Sequence, residues 1–119
     1  MKNKDLYTAL FLSWDSLTAK GDWSFDCPSM NQCCVTALVV QDYLGGKLLK
    51  CKTKNGDIHY WNRLPDGSEL DFTADQFPFV SDVPFKDKAV VINRNRPLAY
   101  KNVVERYNLL KERVEEQLA

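Results

Sequence analysis

The sequence has no excess of charge of either sign. Its sixteen Lys and Arg residues balance sixteen Asp and Glu residues, which gives a formal net charge of zero. Proteins that bind nucleic acid or anionic membranes mainly through charge carry a surplus of basic residues, because phosphate groups attract it over long distances. The composition therefore predicts that neither nucleic acid nor a membrane surface is a partner.

Segments that would direct the chain into or across a membrane are also lacking. Asp5 and Asp15 flank an apolar stretch near the N-terminus that is too short for a signal-peptide core and its cleavage site. The sequence has no internal repeat and no low-complexity segment. With 119 residues, of which 45% are hydrophobic and 27% charged, we expect one cytoplasmic domain that spans residues 1–119.

Hydrophobic spacing predicts an α+β fold. Apolar residues recur at helical spacing near residues 3–14 and 98–118, and residues 32–44 are apolar on most sides of a helix that ends at Gly45 and Gly46. The runs KLLKCKTK, DIHYWNRL and SELDFT, separated by the turn signals Asn-Gly and Pro-Asp-Gly, predict an antiparallel meander. FPFVSDVPF predicts an irregular loop and AVVIN a further short strand. We expect a central cysteine-bearing helix packed on this sheet, with a C-terminal helix that covers the sheet or serves for self-association.

Two of the four cysteines, Cys33 and Cys34, lie in the first turn of the central helix. Because there is no secretion signal, we expect all four thiols to be reduced. Unpaired backbone N–H groups and the positive end of the helix dipole favour a thiolate at this position. Since a helix turns by about 100° per residue, only one of the two side chains can face a given neighbour, and the other should pack.

The register of the last predicted hairpin follows from its turn. The sequence LPDGS suits a type I turn with Gly67 in the left-handed bulge position, so that Leu64 and Ser68 close the loop. Counting back along both strands from that pair places Trp61 opposite Asp71. The turn chemistry therefore predicts which side chains share a face of the sheet.

His59 is the only histidine in the chain and hence the only imidazole that can serve a cysteine nucleophile as a base. The same register places it opposite Thr73 and diagonal to Asp71, whose carboxylate is within reach of the ring. Asn62, a second candidate for orienting the ring, falls on the opposite face, which is otherwise apolar: Ile58, Tyr60, Leu70 and Phe72. We expect the His59 face to lie against the N-terminus of the cysteine helix.

The segments QCCVTALVVQDYLGG and HYWNRLPDGSELDFTADQF resemble the YunG-like family of small bacterial proteins. Members of that family share a Gln-Cys pair that opens a helix and a histidine strand that is followed by Asp-x-Thr and Gln-Phe. The family has no assigned biochemical role, and the resemblance covers roughly residues 14–80. The order of Cys on a helix and His and Asp on two strands also resembles the papain-like and transglutaminase-like superfamily. This second resemblance implies a papain-like minimal core.

Carried over residue by residue, the resemblance implies that Cys33 is the nucleophile, His59 the base and Asp71 the third member of a triad. It also implies that the Gln32 side chain donates to an oxyanion. The position after the nucleophile, where a small residue such as Ala is expected, is Cys34 here, which implies that Cys34 packs and Cys33 reacts. Together these roles imply a thiol-dependent hydrolase or acyl/amide transferase that acts on an unidentified amide or ester without a cofactor.

Two other interpretations stay open at this point. Free cysteines often only fill space, and the chain would then be a non-catalytic binding module that keeps the papain-like fold. Zinc binding is the competing chemistry, with the candidate ligands Cys27, Cys33, Cys34, Cys51 and His59. The sequence has no C-x-x-C pair, and adjacent cysteines are awkward ligands for one tetrahedral ion, so we predict no metal.

Overall fold

The computed structural model describes residues 2–77 and 82–119. The helix expected near the N-terminus is α1, Asn3–Ser13, and the cysteine helix is α2, Cys33–Leu44. The C-terminal helix α3, Lys101–Leu118, begins later than predicted, because Pro97–Ala99 form a separate 3-10 turn. The α+β class is therefore confirmed, and its four strands are β1, Lys47–Lys52, β2, Ile58–Arg63, β3, Glu69–Leu70, and β4, Val90–Ile92.

The strands form one antiparallel sheet in the order β3-β2-β1-β4. The predicted meander supplies β1 to β3, and the short strand predicted at AVVIN is β4, which pairs with β1. The turn between β2 and β3 has the predicted geometry, because Gly67 has a φ of +90° and the Leu64 N–H donates to the Ser68 carbonyl at 2.7 Å. Of the predicted loop FPFVSDVPF, residues 78–81 lie outside the described part of the chain.

Strand β3 is shorter than the run SELDFT that predicts it. Asn62 of β2 pairs with Leu70, the last residue of β3. Directly after it, Asp71 Oδ1 accepts hydrogen bonds from the backbone N–H and the hydroxyl of Thr73 at 3.2 and 3.3 Å. An Asp side chain that bonds the backbone two residues on curls the chain into a turn. Thr73 therefore leaves the sheet and does not face His59 across it.

Helix α2 is the centre of the hydrophobic core. It contacts β1 and β2, and it also packs against α3, which in turn packs against α1. The apolar face of α3 therefore packs mainly against the other two helices; its buried residues are Val103, Tyr107, Leu110 and Val114. Self-association through this helix stays a prediction. None of the helices within residues 2–77 and 82–119 has the length and apolar character needed to cross a membrane.

Alternate residues of β2 point to opposite faces of the sheet. Asn62 faces α2, where its amide donates to a backbone carbonyl of the helix at 2.9 Å. His59 and Trp61 lie on the other face, as strand parity predicts. The expectation that this face lies against the N-terminus of α2 needs correction. The body of α2 packs on the Asn62 face, and Cys33 comes close to His59 because it lies beside Ile58, where β2 begins.

Candidate active site

Cys33 is the first residue of α2 and is half-buried beside the start of β2. Its Sγ lies 3.8 Å from the carbonyl oxygen of Ile58. The first N–H groups of a helix have no partner within the helix, and Gln32, the N-cap residue, forms no side-chain hydrogen bond to them. The sulfur of Cys33 therefore lies next to free backbone donors and the positive end of the α2 dipole.

His59 is 1% exposed and is held by three neighbours. Its Nε2 lies 2.6 Å from Asp71 Oδ2. The ring stacks on Trp61 with a centroid distance of 5.5 Å and meets Phe77 edge-on at 4.7 Å. Nδ1 has no hydrogen-bond partner in the standard geometry among residues 2–77 and 82–119. Because Asp71 occupies Nε2, Nδ1 is the ring nitrogen left for the adjacent Cys33.

Two opposing effects set the protonation of His59. Burial disfavours the imidazolium and would lower its pKa, but the hydrogen bond to Asp71 and the nearby charges of Asp71 and Cys33 outweigh burial and raise the pKa from 6.5 to about 9. Burial would likewise raise the pKa of the Asp71 carboxyl, but His59, followed by Lys86, lowers it below its ordinary value. At neutral pH the pair is therefore an imidazolium and a carboxylate.

Lys86 is a member of the site that sequence reasoning missed. Its Nζ lies 2.6 Å from Asp71 Oδ2, the oxygen that also bonds His59, and 5.2 Å from the centroid of the Trp61 ring. Thr73 bonds the other carboxylate oxygen, so both oxygens of Asp71 are held. No spacing rule connects Lys86 to Asp71, since the two residues are distant in the sequence and only tertiary structure brings them together.

The segment that carries Lys86 is docked on the hairpin between β1 and β2. The Lys54 N–H donates to the carbonyl of Val83 at 2.7 Å, and the Phe85 N–H donates to the carbonyl of Lys52 at 3.0 Å. These two backbone hydrogen bonds pair residues 83–85 with residues 52–54 at the end of β1, as a short added strand would. They hold Lys86 over the face of the sheet that carries His59 and Trp61.

The Gln32 side chain does not lie where its predicted role requires it. The residue is fully buried, and its Nε2 donates to the carbonyl oxygen of Asp15 at 3.0 Å. It is not among the described residues that line the cavity next to Cys33. Donation from the Gln32 side chain to an oxyanion does not fit this geometry, because the amide is turned into the interior. Gln32 instead anchors the chain that enters α2.

Asn31 and Gln76 form a second anchor for the start of α2. Asn31 has a φ of +60°, a left-handed conformation that is uncommon outside glycine. Its N–H donates to Gln76 Oε1 at 3.2 Å, and its side chain donates to the Asp22 carbonyl at 2.7 Å. Gln76 Nε2 donates in turn to the Thr73 carbonyl at 3.1 Å. One buried amide thus joins the cysteine turn to the turn after Asp71. In the sequence, Gln76 belongs to the Gln-Phe pair, which carried no functional assignment.

Of the other three cysteines, Cys34 is half-buried, as Cys33 is, and lines the same cavity. Burial, and then the neighbouring Cys33, raise the pKa of Cys34 to about 12, so that its thiol stays protonated at neutral pH. Cys27 and Cys51 are buried, and burial raises the pKa of Cys51 as well. All four cysteines are free. Within residues 2–77 and 82–119, no three Cys, His, Asp or Glu side chains are grouped so that they could hold a metal ion.

A cavity of about 840 Å³ opens beside this site and is lined by both Cys33 and His59. This volume lies in the range of small-molecule sites, which is roughly 300–1,000 Å³. Part of the lining is apolar and aromatic, as in sites that bind organic ligands: Ile58, Tyr60, Phe77, Ile92 and Tyr100. The cavity therefore places Cys33 and His59 in the wall of one space that is large enough for a small ligand.

Comparison with known proteins adds a family relationship. The family model described as "YunG protein" matches residues 2–119. The chain is also 42% identical over 65 residues to "Uncharacterized protein YunG" of Bacillus subtilis (strain 168), in an alignment that covers 55% of this chain and 54% of that protein. The alignment thus spans about half the length of that relative. No solved structure matches the chain.

Proposed function

The chain belongs to the YunG family, and from the geometry of its site we propose that it is a thiol-dependent hydrolase or acyl/amide transferase that acts on an amide or ester. One observation carries the proposal. The imidazole of His59 is held by Asp71 at 2.6 Å through Nε2, next to Cys33 and in the wall of a cavity that Cys33 also lines. A thiol, a base and a group that orients the base are the parts that nucleophilic catalysis by cysteine requires.

In the first step the Cys33 thiolate attacks the carbonyl carbon of the substrate. A C–S bond forms, and the electron pair of the C=O bond moves to the oxygen. The free N–H groups at the start of α2, including that of Cys33, are the donors that stabilise this oxyanion. The Gln32 side chain takes no part, since it does not reach the cavity.

In the second step the His59 imidazolium gives its Nδ1 proton to the leaving nitrogen or oxygen as the C–N or C–O bond breaks. The carbonyl re-forms, and the acyl group remains on Cys33 as a thioester. Neutral His59 then takes a proton from water, or from an acceptor amine, as that molecule attacks the thioester. The C–S bond breaks, and the electron pair returns to sulfur, which regenerates the thiolate and the imidazolium.

Asp71 and Lys86 are positioning residues in this scheme. Asp71 fixes the ring so that Nδ1 is directed to Cys33 and favours the imidazolium that the resting state needs. Lys86 holds the Asp71 carboxylate on its outer side. The same order of helix cysteine, strand histidine and following aspartate supports placing the chain among papain-like folds. A reduced Cys33 also fits the cytoplasmic location expected from the sequence.

The test is site-selective labelling followed by acyl transfer. Iodoacetamide at pH 6 should alkylate Cys33 at least about tenfold faster than it alkylates free cysteine, because only an activated thiol is a thiolate at that pH. 4-Nitrophenyl acetate should leave an acetyl group on Cys33, located by peptide mass spectrometry. Cys33→Ser should abolish both modifications, and Cys34→Ser, the matched control in the same helical turn, should retain both.

Labelling of Cys34 in place of Cys33 would reverse the assignment of the nucleophile. If both thiols stay inert in the folded protein and react only in denaturant, the proposed catalysis is wrong, and the chain is a binding module.

A further inference from the structure

We propose that the cavity beside Cys33 binds a substrate that carries an oxyanion group, a carboxylate or a phosphate, and that Arg106 is the main cation that receives it. The inference rests on the proposed function in that the bound molecule is the acyl substrate. Binding of the anion can nevertheless be tested without any turnover. The starting observation is a concentration of positive charge in one cavity of a chain whose formal net charge is zero.

Four cationic side chains line the cavity: Lys20, Lys50, Arg96 and Arg106. None of them forms an ion pair with a carboxylate among residues 2–77 and 82–119, whereas other Lys and Arg residues of the chain do, such as Arg94 with Asp42. Lys20 and Arg96 are exposed, whereas Lys50 and Arg106 are half-buried. Because charges in a concave, partly apolar wall are screened less than exposed ones, the half-buried pair contributes most to a positive potential on a ligand.

Two carboxylates also line the cavity and offset part, but not all, of the charge of the four cations. Asp82 Oδ1 already accepts the backbone N–H groups of Asn55 and Val83, each at 2.9 Å. Asp57 is exposed at the end of the β1–β2 hairpin. Both lie on the hairpin side of the cavity, while Arg96 and Arg106 come from the region of α3. The cavity therefore has a cationic side that is free to bind an anion.

Among the four cations, Arg106 is the one that an anionic ligand should stabilise most. It is half-buried in the cavity wall, and its Nη1 is enclosed without a hydrogen-bond partner among the described residues. A buried donor without an acceptor is destabilising, and more so when it is charged. A guanidinium presents a planar pair of N–H groups that matches the two oxygens of a carboxylate or phosphate. Nη1 itself has almost no accessible surface, so an oxyanion ligand binds the part of the guanidinium that lines the cavity.

The cations lie close to the reactive end of the cavity. Arg106 and Lys20 line the same cavity as the cysteine pair, and their charges oppose the rise in the pKa of Cys34 that burial and Cys33 cause. Arg96 acts in the same way on Tyr60, whose pKa rises to about 12, first through burial. An anionic group bound by these side chains therefore shares the cavity with Cys33.

Backbone groups add to the positive wall. Helix α2 begins at Cys33, and helix α3 begins next to Asn102 and Val103, all three of which line the cavity. Neither helix has a side-chain hydrogen bond at its N-cap. The positive ends of the α2 and α3 dipoles therefore lie at the same cavity as the four cations. The dipoles and the cations all favour the binding of an anion.

Iodoacetate and iodoacetamide provide a matched pair of probes. Both alkylate a thiolate by displacing iodide, which leaves with its electron pair, but only iodoacetate carries a carboxylate. We expect the ratio of the iodoacetate rate to the iodoacetamide rate at Cys33 to exceed the ratio for free cysteine by about 3- to 10-fold at low salt, since a focused potential raises the local concentration of an anion. The excess should shrink as chloride is added.

Arg106→Gln should remove most of this excess. Arg106→Lys should keep part of it, because Lys retains the positive charge but lacks the planar pair of N–H groups. Lys111→Gln is the control. It removes the same charge from the same helix outside the cavity lining, and the ratio should stay at the wild-type value. Protection of Cys33 from iodoacetamide by acetate or by inorganic phosphate, at constant ionic strength, then decides between carboxylate and phosphate.

Rapid labelling by iodoacetamide with a rate ratio equal to that of free cysteine would overturn this inference and leave the proposed catalysis standing. If Cys33 does not react at all, the proposed catalysis fails, and the anion site is decided by NMR titration. In that case, addition of acetate or phosphate should shift the amide resonances of Cys33 and Asn102. The site is supported if these shifts occur in the wild-type protein and are absent in Arg106→Gln. No shift in the wild-type protein up to tens of millimolar refutes it.

Discussion

The two faces of the sheet are built from opposite kinds of side chain. The face under α2 is part of a large apolar core in which Leu38, Leu48 and Val39 are buried almost completely. The other face has only a small apolar cluster, and beside it His59 and Asp71 are enclosed as charged groups. Buried charge is tolerated there because each member has a partner at hydrogen-bond distance. The apolar face supplies stability, and the polar face holds a reactive geometry.

Truncation in the apolar core should have the largest effect on stability. Leu38→Ala removes a fully buried side chain of α2 and should lower the free energy of unfolding by about 2–5 kcal/mol, through lost burial and the cavity left behind. Urea denaturation measures the loss. The His59 pKa of the remaining folded protein should not change. Leu12→Ala, at a 60% exposed position of α1, is the control and should cost under about 0.5 kcal/mol.

Asp71→Asn should have the next largest effect, and on the other face. Without the carboxylate, only Cys33 still opposes burial, and the His59 pKa should fall below its wild-type value of about 9. Alkylation of Cys33 near pH 6 should slow, because the imidazolium that stabilises the thiolate is depleted. NMR titration of His59 measures the first effect and iodoacetamide labelling the second. Asp66→Asn, in the exposed turn before β3, should change neither. An unchanged His59 pKa in the Asp71 variant would contradict the assigned role.

The same ion pair predicts how stability depends on pH. The pKa of His59 is higher in the folded chain, at about 9, than its ordinary value of 6.5. The folded state therefore binds more protons than the unfolded state between these values, and stability falls as pH rises through this window. Below pH 6.5 the contribution is fully present. Urea denaturation at pH 6.5, 7.5 and 8.5 should show the decline, and the decline should be weaker in Asp71→Asn. A flat profile in the wild-type chain would argue against a charged pair.

Lys86→Met tests the outer contact of the polar face and should have the smallest effect. The side chain is 39% exposed, so the loss of its ion pair should cost less than about 1 kcal/mol. Removal of a positive charge next to Asp71 should raise the His59 pKa slightly, since the carboxylate then interacts with His59 alone. NMR titration resolves the direction. Lys88→Met, in the same 3-10 turn but over Phe85, is the matched control. A fall in the His59 pKa of the Lys86 variant would show that Lys86 supports the ring in another way.

Local chemistry was enough to predict the contact between His59 and Asp71. The bulge at Gly67 and the closing pair of Leu64 and Ser68 set the register, and strand parity then placed His59 and Asp71 on the same face of the sheet. The prediction was wrong in one detail, because β3 ends at Leu70 and Asp71 turns the chain away from the sheet. The contact survives this change since the side chain reaches back to the ring.

Prediction from the sequence failed for contacts between segments that are distant along the chain. Nothing in the spacing of the chain indicates that Lys86 bonds Asp71 or that Gln76 links the cysteine turn to the Asp71 turn. Gln32 illustrates the reverse error, since a motif position suggested a catalytic donor, but the side chain is buried toward Asp15. A motif specifies which residue type is present, whereas the direction of its side chain depends on how the surrounding loops pack.

The sequence by itself determined the helices, the meander, the turn geometry and the candidate thiol and imidazole, because periodicity and turn chemistry act over a few residues. Only the tertiary structure decided that α2 packs on the face opposite His59, that Lys86 closes the site from outside, and that Arg106 and Arg96 share a cavity with Cys33. These relations depend on long-range packing, in which the burial of apolar area selects one arrangement from many that the local pattern allows.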